Sequence, residues 1–318
     1  MNEPPGAETV SIVLPTHNRA HLVGRAVRSV LSQTHTDWEL IVVDDGSQDA
    51  TPAAIAEFRD PRVRYLRNDP AVGPARARNV GIRSAGPSGY LGFLDDDDEW
   101  LPRKLERQLA TFRASAVALS AVGCGRIDCG PASSEVHLPQ YRGDVFEHLL
   151  ARRARGYGAQ LILVKRQPGQ DDVLFDADLP CLEDADYSMR LALQGPLDFV
   201  PEPLVKIYRN DGGPHVWNPE AAIRGYECLA RKYEKELATR PRVRSYYDIC
   251  MARDLASLGR VRECRARLRK AVVASDHPVR LLVWYAASLA GGSLGVRACA
   301  RVLPVHPPRV TTGVPVPA

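Results

Sequence analysis

Four aspartates and a glutamate stand in a row, Asp95 to Asp98 and then Glu99, directly after the apolar run Tyr90–Leu94. Carboxylates this close repel, so something positive must compensate: solvent and salt, basic residues or a metal. Alternation along an extended chain puts Asp95 and Asp97 on one side and Asp96 on the other. Asp95 and Asp97 can then converge on one hard cation, because Mg2+ and Mn2+ prefer oxygen ligands. Two carboxylates do not complete an octahedron, so water and ligand phosphates must fill the rest. A nucleotide diphosphate suits such a site, since the metal bridges enzyme carboxylates and an anionic ligand. Two further polar groups belong with this run: Thr16-His17-Asn18-Arg19 and Asp44-Asp45.

All three groups follow segments that read as buried strands. Val10–Pro15, Glu39–Asp45, Val63–Leu66 and Tyr90–Leu94 are short, apolar and rich in β-branched or aromatic residues. Helical patterns separate them. Leu22, Val23, Ala26, Val27, Val30 and Leu31 recur at helical spacing after Asn18 as cap; Thr51-Pro52 opens a helix to Phe58; Ala75 to Ala85 and a segment from Pro102 are also helical. Alternation with continuous apolar strands predicts an α/β fold, a parallel sheet covered on both faces. Ligands bind at the C-terminal strand ends of such sheets, where the polar groups cluster. Beyond Ser115 the pattern is less regular. Strands are expected at Gln160–Val164 and Leu204–Arg209, and a helix after Leu182 with Tyr187, Met189 and Leu191 facing inward. After Pro219 only helices are expected. Cys250–Pro278 resembles a single tetratricopeptide-type helix pair.

The chain has 318 residues, 45% hydrophobic and 25% charged, as soluble globular proteins do. Its net charge of +4 is unevenly spread, with 14 Lys and Arg against 6 Asp and Glu between Arg224 and Lys270. That excess predicts either a polyanionic partner or anionic membrane surface, or a solvated face of Arg-rich helices. Seven scattered cysteines, with Cys124 and Cys129 the nearest pair, show no zinc spacing and suggest a reducing cytoplasm. The first ten residues do not read as a signal peptide, and no apolar segment of about 20 residues reads as a spanning helix.

Three stretches carry a resemblance: "VSIVLPTHNRAHLVGRAVRSVLSQTHTDWELIVVDDGSQDAT", "GPARARNVGI" and "FLDDDDEWLP". In this order they resemble the family 2 glycosyltransferases of the GT-A fold, closely over residues 8 to 112 and more loosely through "FDADLPCLEDADYSMRLAL". The resemblance implies a GT-A-type, mostly parallel sheet flanked by helices in residues 1–218; it does not reach residues 219–318, whose own pattern predicts an α-helical C-terminal region. It implies a nucleotide diphosphate sugar donor and a glycan, lipid-linked or small-molecule acceptor. Thr16, His17 and Arg19 would line the nucleotide pocket, although the family more often has Tyr at the position of His17. Asp44 and Asp45 would receive the base or ribose. Arg78, or Arg76 instead, would approach the diphosphate. Asp95, Asp96 and Asp97 would be the family's "DXD" motif, with Asp96 toward the ribose or sugar and Asp97 as principal ligand of Mn2+ or Mg2+, joined by Asp95. Glu183, Asp184 and Asp186 are all candidates for the catalytic base, and the family pattern selects Asp184. Inversion at the anomeric carbon is likewise implied by the family. The "QxxRW" element of processive synthases is absent, so one sugar per encounter is expected.

A cytoplasmic enzyme follows, able to touch the inner face of the membrane through Val279–Pro304. No nucleic-acid partner is expected. The alternatives are a metal-dependent phosphotransferase or phosphohydrolase, and a non-catalytic sugar-nucleotide-binding protein. The former expects a nucleophilic Asp after the first strand, where Pro15-Thr16 stand. A nicotinamide dehydrogenase is disfavoured because no G-x-G-x-x-G follows that strand. His215, in a Gly-rich loop, is a candidate for closing over the diphosphate.

Overall fold

The computed structural model describes residues 8–286, except 168, 209–217, 274, 276, 277 and 280, together with 314–315. The first half alternates as the sequence predicts: β1 (Val10–Thr16), α1 (Ala20–Leu31), β2 (Trp38–Asp44), α2 (Thr51–Ala56), β3 (Val63–Arg67), α3 (Pro74–Ser84) and β4 (Tyr90–Phe93). The strand ladder then turns back through β5 (Glu99–Trp100). There follow α4 (Lys104–Ala114), β6 (Ala121–Cys129), β7 (Ser134–His137), β8 (Tyr141–Arg142), α5 (Phe146–Leu150), β9 (Leu163–Lys165), α6 (Glu183–Gln194) and β10 (Leu197–Tyr208). The helical part comprises α7 (Pro219–Lys232), α8 (Glu234–Ala238), α9 (Pro241–Ser257) and α10 (Val261–Val272).

Among the described residues the main sheet runs β3-β2-β1-β4-β9-β6-β10-β5, with β7 beside β6. The pairs β3–β2, β2–β1 and β1–β4 are parallel. Past β4 the sheet is mixed: β9 is antiparallel to both neighbours, β10 is parallel to β6, and β5 is antiparallel to β10. Strand order reverses between β1 and β4, which opens a crevice at their C-terminal ends. Helix α3 lies close over β1, and only glycine fits at position 81. A Cβ there would stand 2.3 Å from the Val13 Cγ1 atom.

Two apolar clusters cover the two faces. One joins Val10, Ile12 and Leu14 to α1 and α4. The other joins Val13, Ile41 and Phe93 to α3, α6 and the C-terminal helices, so Tyr226, Tyr233 and Tyr247 share one core with the sheet. Leu281 and Trp284 are buried in it, whereas Val279, Leu282 and Val283 are exposed. Part of the basic excess of this region is matched internally: Arg240 pairs with Glu147, and Arg267 with Glu227 and Asp248. The tetratricopeptide-like pair is α9 and α10, separated at Gly259, whose φ is 74°. Cys124 and Cys129 are free thiols. His215 lies outside the described residues, as does most of Val279–Pro304.

Candidate active site

The loops after β1 and β2 hold each other. Asn18 does not cap α1. Its own φ is 53°, its N–H donates to Ser47 Oγ (2.9 Å), and its Oδ1 accepts from Gln48 N (2.7 Å). The cap comes from the neighbouring loop instead: Asp49 Oδ2 accepts from Ala20 N (3.1 Å) and Thr51 Oγ1 from Arg19 N (3.0 Å). Asp49 also accepts from Thr51 N (2.9 Å), so Thr51 is the first residue of α2 and not its cap. His17, exposed at the mouth of the crevice, donates from Nδ1 to the Asp45 carbonyl (2.7 Å) and accepts at Nε2 from Asn18 (2.9 Å). These bonds select the Nδ1–H tautomer.

The run Asp95–Asp98 is not an extended strand. Asp98 N donates to Asp95 O (3.1 Å), closing a turn between β4 and β5, so alternation does not place these side chains. Asp95, Asp96 and Asp97 each have a partner of their own. Asp95 accepts from Arg78 (2.7 Å). Asp96 accepts from Thr16 Oγ1 (2.7 Å) across the gap between β1 and β4; burial pushes its carboxyl up to about 6, with Asp97 adding repulsion and Thr16 opposing. Asp97 lies 3.4 Å from Arg19, and its carbonyl accepts from Arg25 (2.5 Å). Asp98 is buried with an unpartnered Oδ1, and burial, then Asp95 and Asp97, raise its pKa well above the ordinary value. Glu99 belongs to β5. Burial opposes its charge, but Tyr208 (2.7 Å) and Lys206 (3.1 Å) outweigh it and lower its pKa.

Arg78, 8% exposed, joins this turn to α6. Besides Asp95 it reaches Glu183 Oε1 (3.2 Å), and its guanidinium stands 5.3 Å from the Phe175 ring centre. Burial works against its charge, but Asp95 and Glu183, with Asp184 beyond them, raise its pKa. Glu183 is raised in turn by burial and by Asp184, with Arg78 opposing. Asn79, one residue on, exchanges bonds with the Phe175 backbone (2.7 and 2.8 Å), and Phe175 stacks on Tyr187 at 4.1 Å. Helix α3 thereby fixes the loop that leads into α6. The result is a cleft of about 590 Å3, lined by Thr16, His17, Arg19, Asp45, Arg78, Asp95, Asp96, Asp97 and Glu183. Asp184 adjoins it on the first turn of α6, half-buried.

A profile described as "Glycosyl transferase family 2" matches residues 11–163. WcaA of Escherichia coli, assigned to colanic acid biosynthesis, is 31% identical over 234 residues, 71% of this chain and 81% of its own. The chain belongs to glycosyltransferase family 2. WfgD of Escherichia coli, a UDP-Glc:alpha-D-GlcNAc-diphosphoundecaprenol beta-1,3-glucosyltransferase, is 43% identical over 101 residues, 32% of this chain and 40% of that one. The match thus spans well under half of WfgD. Among solved structures, Staphylococcus aureus TarS 1-349 in complex with UDP-GlcNAc is similar with a TM-score of 0.67 at 15% identity, covering 92% of this chain and 90% of that one. The mannosyltransferase PcManGT of Pyrobaculum calidifontis, in complex with GDP-Man and Mn2+, has a TM-score of 0.53 at 20% identity, covering 92% and 86%. These likenesses show the fold.

Within this family member the predicted residues converge, with three differences. Asp44 is fully buried and does not line the cleft; its carboxylate accepts from Ser47 N (2.8 Å), Tyr65 (2.6 Å) and Arg67 (3.1 Å), so it builds the turn. Asp45 does line it, but its carboxylate accepts from Asn68, Val72 N and Gly73 N (2.7–2.9 Å). Arg76 points away to exposed Asp178, leaving Arg78 as the cleft arginine. Asp186, the other base candidate, is fully buried and away from the cleft lining: it accepts from Arg190 (2.8 Å), Lys232 (2.8 Å) and Tyr233 (2.9 Å), tying α6 to α7. Arg25, Tyr65 and Arg67 escaped the sequence reading, since no local pattern marks a partner tens of residues away. Among the described residues no three His, Cys, Asp or Glu side chains form a ready metal cage, and no helix is long and apolar enough to cross a membrane.

Proposed function

We propose that the enzyme transfers one sugar, with inversion, from a UDP-sugar to a hydroxyl of a cell-surface glycan or its lipid-linked precursor. The observation that carries this reading is Arg78 bridging Asp95 and Glu183, which sets the acidic strand-end turn opposite the acidic helix across one cleft. The UDP-sugar donor and the lipid-linked acceptor are supported by the substrates named for WfgD and by the complex of TarS. Residues 1–218 form the catalytic domain in this reading. The C-terminal region, helical from Pro219 to Val272 apart from short breaks, walls the acceptor side, and exposed Val279, Leu282 and Val283 touch the cytoplasmic face of the membrane.

The donor set fits a divalent cation. Asp97 and Asp95 are hard oxygen ligands beside the cleft, and a site with only two carboxylates leaves positions for diphosphate oxygens. Mn2+ or Mg2+ held there supplies charge neutralisation for the leaving diphosphate. The chain's own residues do the rest. Thr16, His17 and Arg19 with Asp45 receive the nucleoside, and Thr16 holds Asp96 toward the ribose or sugar. Arg78 offers a fixed positive charge near the diphosphate. Asp184, whose Oδ1 accepts from Ala185 N (2.7 Å), takes the acceptor hydroxyl proton as that oxygen attacks the anomeric carbon opposite the leaving group.

The test is Asp184→Asn, assayed for UDP-sugar affinity by titration and for UDP release with acceptor. Donor affinity should hold while transfer falls by about 10²-fold or more. Full turnover in the variant removes Asp184 as base, and lost donor binding moves it to the donor site.

A further inference from the structure

The chain just before β9 comes close to Asp184. A Cβ on Gly158 would stand 3.9 Å from Asp184 Oδ2 and 3.1 Å from Gln160 Oε1. Both distances share one end, so the two side-chain oxygens are no farther apart than the total. Two adjacent hydroxyls, each bonded at about 2.7–2.8 Å, can bridge that span. Gly158, Gln160 and Asp184 are all half-buried, so each keeps some exposure to a ligand.

The arrangement is held from behind. Leu161 N donates to Gly158 O (2.9 Å), closing a short 3-10 turn over Ala159–Leu161. Trp100 Nε1 donates to Gln160 O (3.1 Å), and Gln108 Nε2 to Leu161 O (2.8 Å). The Ser188 hydroxyl, one turn after Asp184 on α6, is within hydrogen-bond reach of the Tyr157 (2.5 Å) and Asp184 (3.0 Å) carbonyls. The turn that carries Gln160 is thereby fixed against the turn that carries Asp184. Only the Gln160 amide is uncommitted: among the described residues it has no hydrogen-bond partner, although its backbone is anchored. An amide both donates and accepts, so it can meet a hydroxyl in either sense. Gly158 has φ −64° and ψ 157°, a backbone that any residue adopts. What glycine supplies here is open space between Gln160 and Asp184.

We propose that Gln160 is a specificity residue, which binds the acceptor hydroxyl adjacent to the one that Asp184 deprotonates, with the acceptor ring lying over bare Gly158. This rests on the reading of Asp184 as base and adds a second contact and the class it reads, a ring that bears adjacent hydroxyls.

Gln160→Ala and Gly158→Ala test it. Neither removes a side-chain bond among the described residues, so both should melt near the parent. The full chain, with UDP and Mn2+ filling the donor cleft, is titrated by NMR with methyl β-glucopyranoside, which carries adjacent hydroxyls, and with tetrahydropyran-4-ol, a like ring with a single one. Wild type should prefer the glycoside by about fivefold or more, as one net hydrogen bond supplies. Gln160→Ala should lose most of that preference, Gly158→Ala should weaken the glycoside by crowding the gap, and both should keep UDP affinity. A purely structural role would move the melting temperature and leave the preference intact. No preference in wild type, an unchanged preference in Gln160→Ala, or weakened UDP binding in that variant overturns the proposal. Failure of the base assignment registers separately, as retained transfer in Asp184→Asn, because the glycoside preference is read without turnover.

Discussion

Replacing Arg78 by Met keeps length and removes charge. Arg78 is 8% exposed and holds Asp95 at 2.7 Å and Glu183 at 3.2 Å, carboxylates whose side chains are 28% and 21% exposed. Removing one partner of a buried ion pair costs about 3–5 kcal/mol, because the remaining charge stays uncompensated. Both carboxylates keep some solvent, which favours the lower end, about 3 kcal/mol. For a chain of 318 residues that lowers the melting temperature by roughly 4–5 °C. Burial and Asp184 already hold Glu183 above 4.5, and loss of Arg78 raises it further. A folded-state pKa above the unfolded one stabilises at low pH and is lost as pH rises. The deficit of Arg78→Met should therefore be largest at pH 7.5 and narrow toward pH 5. Arg78→Lys keeps the charge without the two-armed fork, so its loss should be smaller. Thermal melts of both variants at pH 7.5 and pH 5, with and without UDP and Mn2+, measure this. A variant melting within a degree of wild type at pH 7.5, or a deficit unchanged by pH, refutes the bridging argument.

Asp97→Asn should reduce the dependence of UDP binding on Mn2+, since one anionic ligand becomes neutral; calorimetry with and without the ion reads it, and unchanged dependence removes Asp97 from the site. Asp186→Asn should lower stability by about 3 kcal/mol, because Arg190 and Lys232 lose their buried partner, and chemical denaturation measures this. Lys104 is fully buried, bonded to Gln108 (2.8 Å) and 3.9 Å from the Trp100 ring centre, and burial lowers its pKa from 10.5 to about 8. Its contribution is full above pH 10.5 and lost as pH falls to about 8. Relative to Lys104→Met, wild type should therefore gain roughly 2 kcal/mol between pH 8 and pH 10; a flat difference in denaturation midpoints would show that the ammonium is not desolvated.

The first hundred residues were legible because β1, β2 and β4 are largely apolar buried runs, and the strand ends fall within a residue or two of those expected. The mixed half was not. Strand β9 has three residues and β5 two, too short for periodicity to register, and their pairing depends on distant partners. Pro201 and Pro203 interrupt β10, whose register shifts there, so only its end from Leu204 read as strand. β6 carries Gly123, where a Cβ would stand 2.3 Å from Gly156 O; that is a packing need and not a strand signal. In the site, acidic residues at strand ends were visible as chemistry. Their individual settlements were not, because Arg78 meets Glu183 across 105 residues and Thr16 meets Asp96 across 80. The extended geometry expected for Asp95–Asp98 yielded to a turn, which the short reach from β4 to β5 requires.

The mutual capping of the first two strand-end loops bears on how tightly a donor is held. Asn18, Arg19 and Ala20 lend their backbone N–H groups to Ser47, Thr51 and Asp49, and Gln48 returns one to Asn18. Neither loop can shift without breaking bonds to the other. In the proposed reading, the floor under the nucleoside is thus ordered before any ligand arrives. Ordering a rotamer-rich side chain on binding costs about 0.5–1.5 kcal/mol, and folding has already met that cost for this floor. Arrival of the nucleoside then converts contact energy into affinity with little entropic loss, and the discrimination left to be made falls on the sugar and the acceptor.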